Sequence, residues 1–360
     1  MSRQHLVLLG DANSVHVQRW AREMLARGWR VSLVTARPAQ ELPDGVVQIA
    51  LPPVQRSSDW LWRAGAARRA LQGLQPAIVH AHYVTSYGYL AARSARWLHR
   101  AGVPVVMSAW GSDLLVAPRA SALKRLLTAW TLRHADAVIG DSPDLLAAAR
   151  ALAPSARTAL IHWGVERARF ALVPWADKPG FEAVSLRSWE PNYRIDTILR
   201  AFAQVLAQRP DARLHLLGGG SQEGVLRKLT ADLALQNSVQ FHGRLDDAGM
   251  AAVLARCKLS ISVPESDATS VSVLESMACG LPVIASNLPA NRDWLDAVLL
   301  VPVGDADALA AHWLALMQDE SRAAAQGAAN AERIAAEGDR RAQMDAADRL
   351  YRGLLAERRG

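Results

Sequence analysis

The stretch SDATSVSVLESMACGLPVIAS, residues 266–286, joins a helix pattern to an apolar strand pattern around a single carboxylate. Ser270 suits the N-cap and Gly280 suits the position after the last turn, which predicts a helix over residues 271–279. Glu275 falls at the edge of the apolar stripe of that helix. Because a buried carboxylate is costly without good hydrogen bonds, the pattern predicts a specific partner for Glu275.

A nucleotide would supply such a partner. The two adjacent hydroxyls of a ribose match the two oxygens of Glu275, and the free N–H groups at Ser270 and Val271 suit a phosphate. One short helix would then hold both ends of a nucleoside diphosphate. The local pattern is equally consistent with Glu275 accepting hydrogen bonds from nearby backbone amides, and this alternative stays open.

The rest of the chain alternates strands with helices. In the first half, strand patterns occupy residues 5–9, 30–35, 77–80, 104–108, 137–140 and 159–162, and helix patterns occupy 15–27, 59–74, 86–101 and 123–134. After the proline-rich ALVPWADKPG the alternation restarts with FEAVSLRS and continues through SVQFHGR, LSISVP and PVIAS. Such alternation predicts an α/β protein with two Rossmann-like, doubly wound domains, which we expect to face each other across a cleft.

The predicted domains are residues 1–170 and 171–339. A final helix over residues 340–360 follows, and its return to the first domain is left open. Residues 1–170 carry 21 Lys and Arg against 10 Asp and Glu, whereas the whole chain has a net charge of +7. This asymmetry indicates that the first domain meets an anionic surface, or that it has an arginine-rich solvated surface.

Composition and termini exclude several classes. The two cysteines, Cys257 and Cys279, lie in apolar surroundings, which argues for a reduced, cytoplasmic protein without a metal cluster. MSRQHLVLLGDAN reads as a first strand rather than a signal peptide, and no apolar run is long enough to span a membrane. We expect neither a cofactor nor a metal. Nucleic-acid binding is disfavoured because the basic charge has no accompanying motif.

Two motifs together resemble a known family. One is Asp267-ATSVSVL-Glu275 followed by SMACGLPV, and the other is SLRSWEPNYRIDTILRAF followed by PDARLHLLGGG. They are similar to the donor site of retaining glycosyltransferase family 4, whose members have GT-B architecture. The resemblance covers nearly the whole chain. It implies that Glu275 holds the ribose and Asp267 the donor sugar, although the family usually has Glu at the latter position.

The second motif implies the phosphate contacts. By resemblance, Arg187 binds the pyrophosphate, and Gly219 is a further donor-binding residue in a turn that allows close backbone approach. The family's usual lysine is replaced by Asn192, which leaves Arg194 as the nearest basic residue. A simple surface ion pair is the alternative for Arg187.

The acceptor is expected on the first domain. Asn13, Ser14 and His16 follow the first strand and would hydrogen-bond a sugar, although Asn13 or Ser14 also suits a helix N-cap. His82 and Asp113 are candidates for positioning the acceptor hydroxyl, with Asp267 as the third catalytic candidate. The alternative for His82 is a structural role, since a lone histidine after a strand is more often structural.

The sequence therefore predicts a retaining, metal-independent hexosyltransferase. Its donor would be a nucleoside diphosphate sugar, most readily UDP-linked, and its acceptor a glycan or lipid-linked saccharide. Tryptophans beside arginines, notably Trp60, Trp62 and Trp130, suggest peripheral attachment to an anionic membrane or simply packed helices with a basic face. A nucleotide-sugar epimerase of similar architecture and a catalytically silent nucleotide-sugar-binding subunit are the alternatives.

Overall fold

The computed structural model describes residues 3–56, 58–170 and 172–358. The expected start of the second domain, residue 171, and the end of the predicted final helix, residues 359–360, lie outside that part. The chain divides into two compact units, Met1–Trp163 with Ala342–Gly360, and Gly164–Arg341. The boundaries expected from sequence, after residues 170 and 339, differ from these limits by a few residues.

The strands of the described residues fall into two sheets. They are β1 (His5–Leu9), β2 (Arg30–Thr35), β3 (Val46–Ala50), β4 (Ile78–His82), β5 (Val105–Ser108), β6 (Ala137–Gly140), β7 (Thr158–Leu160), β8 (Glu182–Ser185), β9 (Arg213–Leu217), β10 (Val239–Gly243), β11 (Leu259–Ser262), β12 (Val283–Ser286) and β13 (Leu300–Val301).

The α-helices connect these strands. They are α1 (Val15–Ala26), α2 (Asp59–Leu74), α3 (Tyr89–Arg100), α4 (Ser112–Leu115), α5 (Ala117–Ala120), α6 (Ala122–Leu132), α7 (Pro143–Leu152), α8 (Ile195–Gln208), α9 (Glu223–Asp232), α10 (Asp247–Arg256), α11 (Val271–Ala278), α12 (Pro289–Arg292), α13 (Ala306–Gln318), α14 (Glu320–Arg333) and α15 (Arg340–Glu357). Two π-helical segments, Tyr83–Gly88 and Ile334–Gly338, precede α3 and α15.

The first unit is built on a seven-stranded sheet in the order β3-β2-β1-β4-β5-β6-β7. All neighbouring strands are parallel; Leu8 of β1, for example, lies between Leu33 of β2 and His80 of β4. Helices α2, α3, α6 and α7 pack on one face of the sheet, and α1 packs on the other. Both faces are thus covered, as a parallel sheet requires.

The second unit has a parallel six-stranded sheet in the order β10-β9-β8-β11-β12-β13. Apolar cores lie on both of its faces, one centred on α8 and α13 and the other on α11. The prediction of an α/β protein with two Rossmann-like domains is therefore confirmed.

Helix α15 packs into the core of the first unit. Tyr351 is fully buried there, where its hydroxyl lies 2.5 Å from His80 Nδ1 and accepts a 2.9 Å hydrogen bond from Trp20 Nε1. Trp29 Nε1 donates a 2.6 Å hydrogen bond to Asp348. The end of the chain thus completes the face of the first sheet that carries α1.

Local departures from the predicted elements have simple causes. Strand β3 was not predicted, because it is a half-exposed edge strand with little apolar signal. β13 is only two residues long. Strand β4 continues to His82, since that side chain is buried rather than solvated. Within the part of the chain that the structure describes, no helix is long and apolar enough to cross a bilayer.

Candidate functional site

Helix α11 has the predicted position but a different environment. It begins at Val271 after the N-cap Ser270, and Gly280 follows its end with a φ of 70°. The expected single buried stripe is wrong, because residues 273–278 are buried on all sides. The Ser270 side chain makes no capping hydrogen bond and instead accepts one from the charged Arg187.

Arg187 lies just after β8 and gathers the groups at the amino end of α11. It is only 8% exposed, and its Nη2 lies 2.6 Å from Asp267 Oδ2 while its Nη1 donates to Ser272 Oγ at 3.0 Å. The guanidinium also lies 4.3 Å from the centre of the Tyr193 ring. Burial raises the pKa of Asp267, although Arg187 opposes that shift.

This arrangement suits a phosphate-bearing ligand. A guanidinium, two hydroxyls and the positive end of a helix converge where the strand ends. Arg187 Nε has no hydrogen-bond partner among the described residues, so part of its donor capacity is unused. The structure therefore brings together Arg187, Asp267, Ser270 and Val271, four of the residues expected to bind or act on the donor.

Glu275 lies in the same helix and is 7% exposed. Burial, with Glu275 as a further contribution, raises the pKa of the Cys279 thiol to about 12. Glu275 lies one turn beyond Val271, the first residue of α11. Its contact with a ribose stays a prediction.

The glycine-rich turn after β9 packs directly on the Arg187 segment. A Cβ on Gly218 would lie 2.5 Å from Arg187 O, and one on Gly220 would lie 2.5 Å from Trp189 O. The carbonyl of Gly219 accepts a 3.1 Å hydrogen bond from Trp189 N. These glycines therefore allow the close backbone approach that the sequence predicts.

Arg194 does not join the hydrogen bonds of Arg187. Its guanidinium pairs with Asp196 at 3.1 Å and with Glu265 at 2.8 Å. Asn192, which stands where lysine is usual, donates to Ser266 O at 2.9 Å and so ties down the loop that leads to Asp267. A donor-binding role for Arg194 stays a prediction, and it would require release of two ion pairs.

The first unit contains a cavity of about 380 Å³ at the carboxyl ends of its strands. It is lined by Asp11, Ser14, Val17, Arg37, Trp60, His82, Tyr83, Ser86, Tyr87 and Trp110. Aromatic walls with a few hydroxyl and charged groups are suited to a sugar, whose rings stack on aromatics while its hydroxyls make hydrogen bonds.

His82 forms part of the cavity wall as the last residue of β4. Its ring is 1% exposed and lies among Trp20, Trp110 and Trp163. Within the described residues neither ring nitrogen has a hydrogen-bond partner, and the same holds for Trp110 Nε1. Burial, followed by repulsion from His16, lowers the pKa of His82 to about 3. At neutral pH His82 is therefore uncharged, and its unprotonated ring nitrogen can accept a hydrogen bond.

Asp113 is fully buried and bonded to backbone. Its two oxygens accept hydrogen bonds from Val84 N at 2.8 Å and Trp110 N at 2.9 Å. Burial raises its pKa to about 6 despite these bonds. The geometry makes Asp113 a support for the loops that carry Tyr83 and Trp110, and direct contact with an acceptor stays a prediction.

The three expected acceptor-binding residues occupy different positions. Ser14 lines the cavity as the N-cap of α1, without a capping side-chain bond. Asn13 donates to the carbonyls of Arg37 and Pro38, at 3.1 and 3.3 Å, and thereby holds a loop. His16 contacts the rings of Trp163 and Trp110 behind the cavity.

Several cavity residues were not predicted. Arg37 pairs with Asp11 at 3.2 Å, and its position shortly after β2 is the one signal that could have identified it. The rings of Trp60 and Tyr87 lie 4.8 Å apart, and Trp60 packs on the core rather than facing solvent. Tyr83 has a φ of 79°, a strained value for a non-glycine residue that no sequence pattern reveals.

One buried trio among the described residues could in principle ligate a metal. Potential ligand atoms of Glu182, His215 and Cys257 lie within 4.8 Å of one another. However, Arg256 contacts both Glu182 oxygens, at 2.7 and 2.8 Å, so this carboxylate already has a cationic partner. The trio is better described as part of an ion-pair network, and metal independence stays a prediction.

Two parallel Rossmann-like sheets in one chain are the architecture of GT-B glycosyltransferases. Residues 5–142 match the family model described as "Glycosyl transferase 4-like", and residues 176–333 match "Glycosyl transferases group 1". The chain belongs to glycosyltransferase family 4, the group 1 glycosyl transferases, and the sequence-based recognition is confirmed.

A curated relative is the "GDP-mannose-dependent monoacylated alpha-(1-6)-phosphatidylinositol monomannoside mannosyltransferase" of Corynebacterium glutamicum. The two are 33% identical over 157 residues, which are 41% of this chain and 40% of the relative. The chain thus spans less than half the length of the first curated relatives it matches.

Solved structures resemble the fold over almost the entire chain. Sucrose-phosphate synthase from Thermosynechococcus elongatus has a TM-score of 0.82 at 21% identity, covering 99% of this chain and all of that one. HepE of Anabaena, solved in complex with UDP, has a TM-score of 0.78 at 16% identity, covering 97% of this chain and all of that one. At these identities the likeness establishes the fold alone.

Proposed function

We propose that this chain is a retaining hexosyltransferase that uses a nucleoside diphosphate sugar. The acceptor is a glycan or a lipid-linked saccharide in polysaccharide or glycolipid synthesis. The observation that carries this proposal is the cluster of Arg187, Asp267 and Ser270 at the amino end of α11, with Glu275 buried in the same helix. It offers a cation for phosphates and a carboxylate for a ribose.

In the proposed reaction, the bond between the sugar C1 and the diphosphate oxygen breaks, and the nucleoside diphosphate leaves with the electron pair. The acceptor oxygen forms the new bond to C1 on the same face. Its proton goes to the leaving phosphate oxygen. Arg187 stabilises the charge that develops on the diphosphate, and Asp267 holds the sugar.

The acceptor saccharide is proposed to bind in the aromatic cavity of the first unit. Stacking on Trp60 or Tyr87 would hold a sugar ring, while His82 and Trp110 would hydrogen-bond its hydroxyls. Asp113 acts indirectly, by fixing the loops around the cavity.

The most specific part of the proposal is the identity of the nucleotide base in the donor. We take UDP as the first choice, and GDP-mannose is the alternative favoured by the name of the corynebacterial relative. A thermal-shift screen of UDP, GDP and ADP with their hexose derivatives tests the choice, because a ligand that binds only the folded state raises Tm. A shift with GDP-mannose and none with UDP-sugars would overturn the UDP assignment.

Glu275→Gln tests the nucleotide site itself. The variant should bind the selected nucleotide about 10- to 100-fold more weakly, because hydrogen bonds to a charged group contribute about 1.5–3 kcal/mol. The matched control is Glu332→Gln on the exposed surface of α14, which should bind normally. Unchanged affinity of the Glu275 variant, measured by titration calorimetry, would contradict the ribose contact.

Transfer is then measured by chromatography, which separates isomeric sugars, coupled to mass spectrometry, with the selected donor and lipid-linked or soluble saccharide extracts. A glycosylated acceptor is expected. An isomerised sugar without acceptor would indicate the epimerase instead. Donor binding with neither transfer nor slow hydrolysis would indicate the silent subunit.

The proposed location is the cytoplasm, peripheral to the inner face of the membrane. Its support is the excess of basic residues in residues 1–170. No metal and no nucleic acid is expected to take part.

A further inference from the structure

Exposed large apolar side chains gather at one place in the first unit. Val116 is 52% exposed, and Leu123 and Leu126 of α6 are 75% and 68% exposed, with Leu127 beside them. Leu123, Leu126 and Leu127 share one stripe of the helix by their i, i+3, i+4 spacing. Such a concentration on a surface indicates an interaction site, whereas exposed apolar residues scattered singly do not.

The first turns of α6 project from the unit. Every residue from 119 to 127 is exposed, whereas Thr128, Ala129 and Leu132 are buried. The helix is therefore anchored by its second half, and its first half has no core to pack on. We call Val116 and residues 119–127 the projecting face.

The charge of the projecting face has one sign. Arg119, Lys124 and Arg125 lie on it, and residues 114–135 contain no Asp or Glu. In the part of the chain that the structure describes, none of these three cations forms an ion pair with an acidic side chain. Exposed leucines flanked by unpaired cations are complementary to a partner that has an apolar interior and an anionic rim.

A second exposed apolar pair lies on the same side of the sheet. Leu61 and Trp62 of α2 are exposed, and α2 packs on the same core as α6. Arg68 and Arg69 of α2 are also exposed. By contrast Trp60 and Trp130, for which the sequence left membrane contact and packing as alternatives, pack against that core.

The projecting face is connected to the acceptor cavity. Its chain segment follows α4, where Ser112 Oγ lies 2.7 Å from the hydroxyl of the cavity residue Tyr83. Helix α6 also packs against the π-helical segment Tyr83–Gly88, which supplies three residues of the cavity wall. A partner bound to the projecting face would therefore lie near the cavity.

We propose that the projecting face inserts its leucines into an anionic lipid bilayer and so brings a lipid-linked acceptor to the cavity. The inference rests on the proposed lipid-linked acceptor, which it deepens by assigning the surface that meets the lipid. A bilayer fits better than a protein partner because the cations surround the leucines without any acidic counterpart. Anionic headgroups would neutralise them while the acyl region accepts the leucines.

The test is flotation of the full chain with vesicles of phosphatidylcholine alone, or of equal parts phosphatidylcholine and phosphatidylglycerol. We expect binding to the anionic vesicles at low salt and little binding to the neutral ones. The double variant Leu123→Ser with Leu126→Ser should partition at least about tenfold more weakly, because it removes two exposed apolar anchors. Lys124→Glu with Arg125→Glu should abolish the preference for anionic vesicles.

The matched control is Leu172→Ser with Val225→Ser, two exposed apolar residues of the second unit, which should float like the unaltered chain. Equal flotation of the Leu123 and Leu126 variant, or no flotation of the unaltered chain, would overturn the proposal. Loss of self-association in that variant, measured by sedimentation without vesicles, would show that a second copy occupies the face and would also overturn it.

Nucleotide titration of each variant separates this inference from the proposed function. Intact nucleotide binding with failed flotation rejects the projecting face alone. Normal flotation without any nucleotide binding rejects the proposed function and leaves the membrane surface standing.

Discussion

Replacing Arg187 by methionine tests the diphosphate site most directly. Methionine keeps much of the apolar stem but removes the guanidinium that contacts Asp267, Ser270 and Ser272. We expect UDP affinity to fall about 30-fold, since charge-assisted hydrogen bonds contribute about 2 kcal/mol and each 1.4 kcal/mol is a factor of ten. Uridine, which lacks the phosphates, should bind within about threefold of its normal affinity because no lost contact reaches the nucleoside.

The same substitution should also lower the free energy of unfolding, and the size of this loss follows from the burial of the ion pair. Arg187 is 8% exposed, so its removal leaves the Asp267 carboxylate largely buried without its cation. Breaking a buried ion pair costs about 3–5 kcal/mol. We expect a smaller loss here, about 2–3 kcal/mol, because the already raised pKa of Asp267 lets that carboxyl become neutral.

The assay is titration calorimetry with UDP and with uridine, below the Tm of every variant. Arg187→Met combined with Asp267→Asn should recover part of the stability but none of the UDP affinity, since it removes the uncompensated charge. Arg200→Met, an exposed arginine of α8, serves as the matched control and should bind normally. If UDP and uridine lose affinity equally, the reasoning that Arg187 holds the diphosphate is refuted.

Three further predictions concern stability. The pKa of His82 is lowered to about 3 from an ordinary value of 6.5, so its stabilising contribution is complete above pH 6.5 and is lost as the pH falls toward 3. The free energy of unfolding, measured with denaturant between pH 6.5 and 4.5, should change less steeply with pH in His82→Asn than in the unaltered chain, by about 1 kcal/mol per pH unit. Equal slopes for the two proteins would show that burial of His82 is not the origin of this pH dependence. Gly327→Ala should lower the free energy of unfolding by about 2 kcal/mol or more, because its Cβ would lie 2.0 Å from Gly280 O. Gly353→Ala in α15, with no atom within 4 Å of the new Cβ, should instead stabilise by about 0.5–1 kcal/mol, and equal unfolding midpoints for these two variants would refute the packing argument.

The resemblance selected residues that the structure places together in the second unit, and most of them lie close together in sequence. Asp267, Ser270 and Glu275 belong to one loop and helix, so their spacing reports their geometry. Arg187 comes from another strand end, and its predicted neighbourhood relied on the family pattern. The structure adds that Asn192 holds the loop before Asp267 and that Arg194 is committed to Asp196 and Glu265.

The cavity proposed to bind the acceptor was harder to predict because its wall is assembled from distant segments. Arg37, Trp60 and Tyr87 come from three different connections, and none has a local signal for a shared cavity. Trp60 illustrates the difficulty, since a tryptophan among arginines is consistent with a membrane anchor or with a packed helix, and only the structure shows that it packs on the core. The leucines of α6 show the reverse case, because an apolar stripe on a helix predicts a buried face, whereas these leucines are exposed.

The sequence by itself determined the alternation of strands and helices, the restart that gives two domains and the helix that carries Glu275. These features depend on periodicity and on residues a few positions apart. Only the tertiary structure decided that α15 completes the first unit, that the ring nitrogens of His82 are buried without partners among the described residues, and which leucines remain uncovered. The physical reason is that burial and hydrogen-bond satisfaction depend on contacts between residues far apart in the chain, and local patterns do not record those contacts.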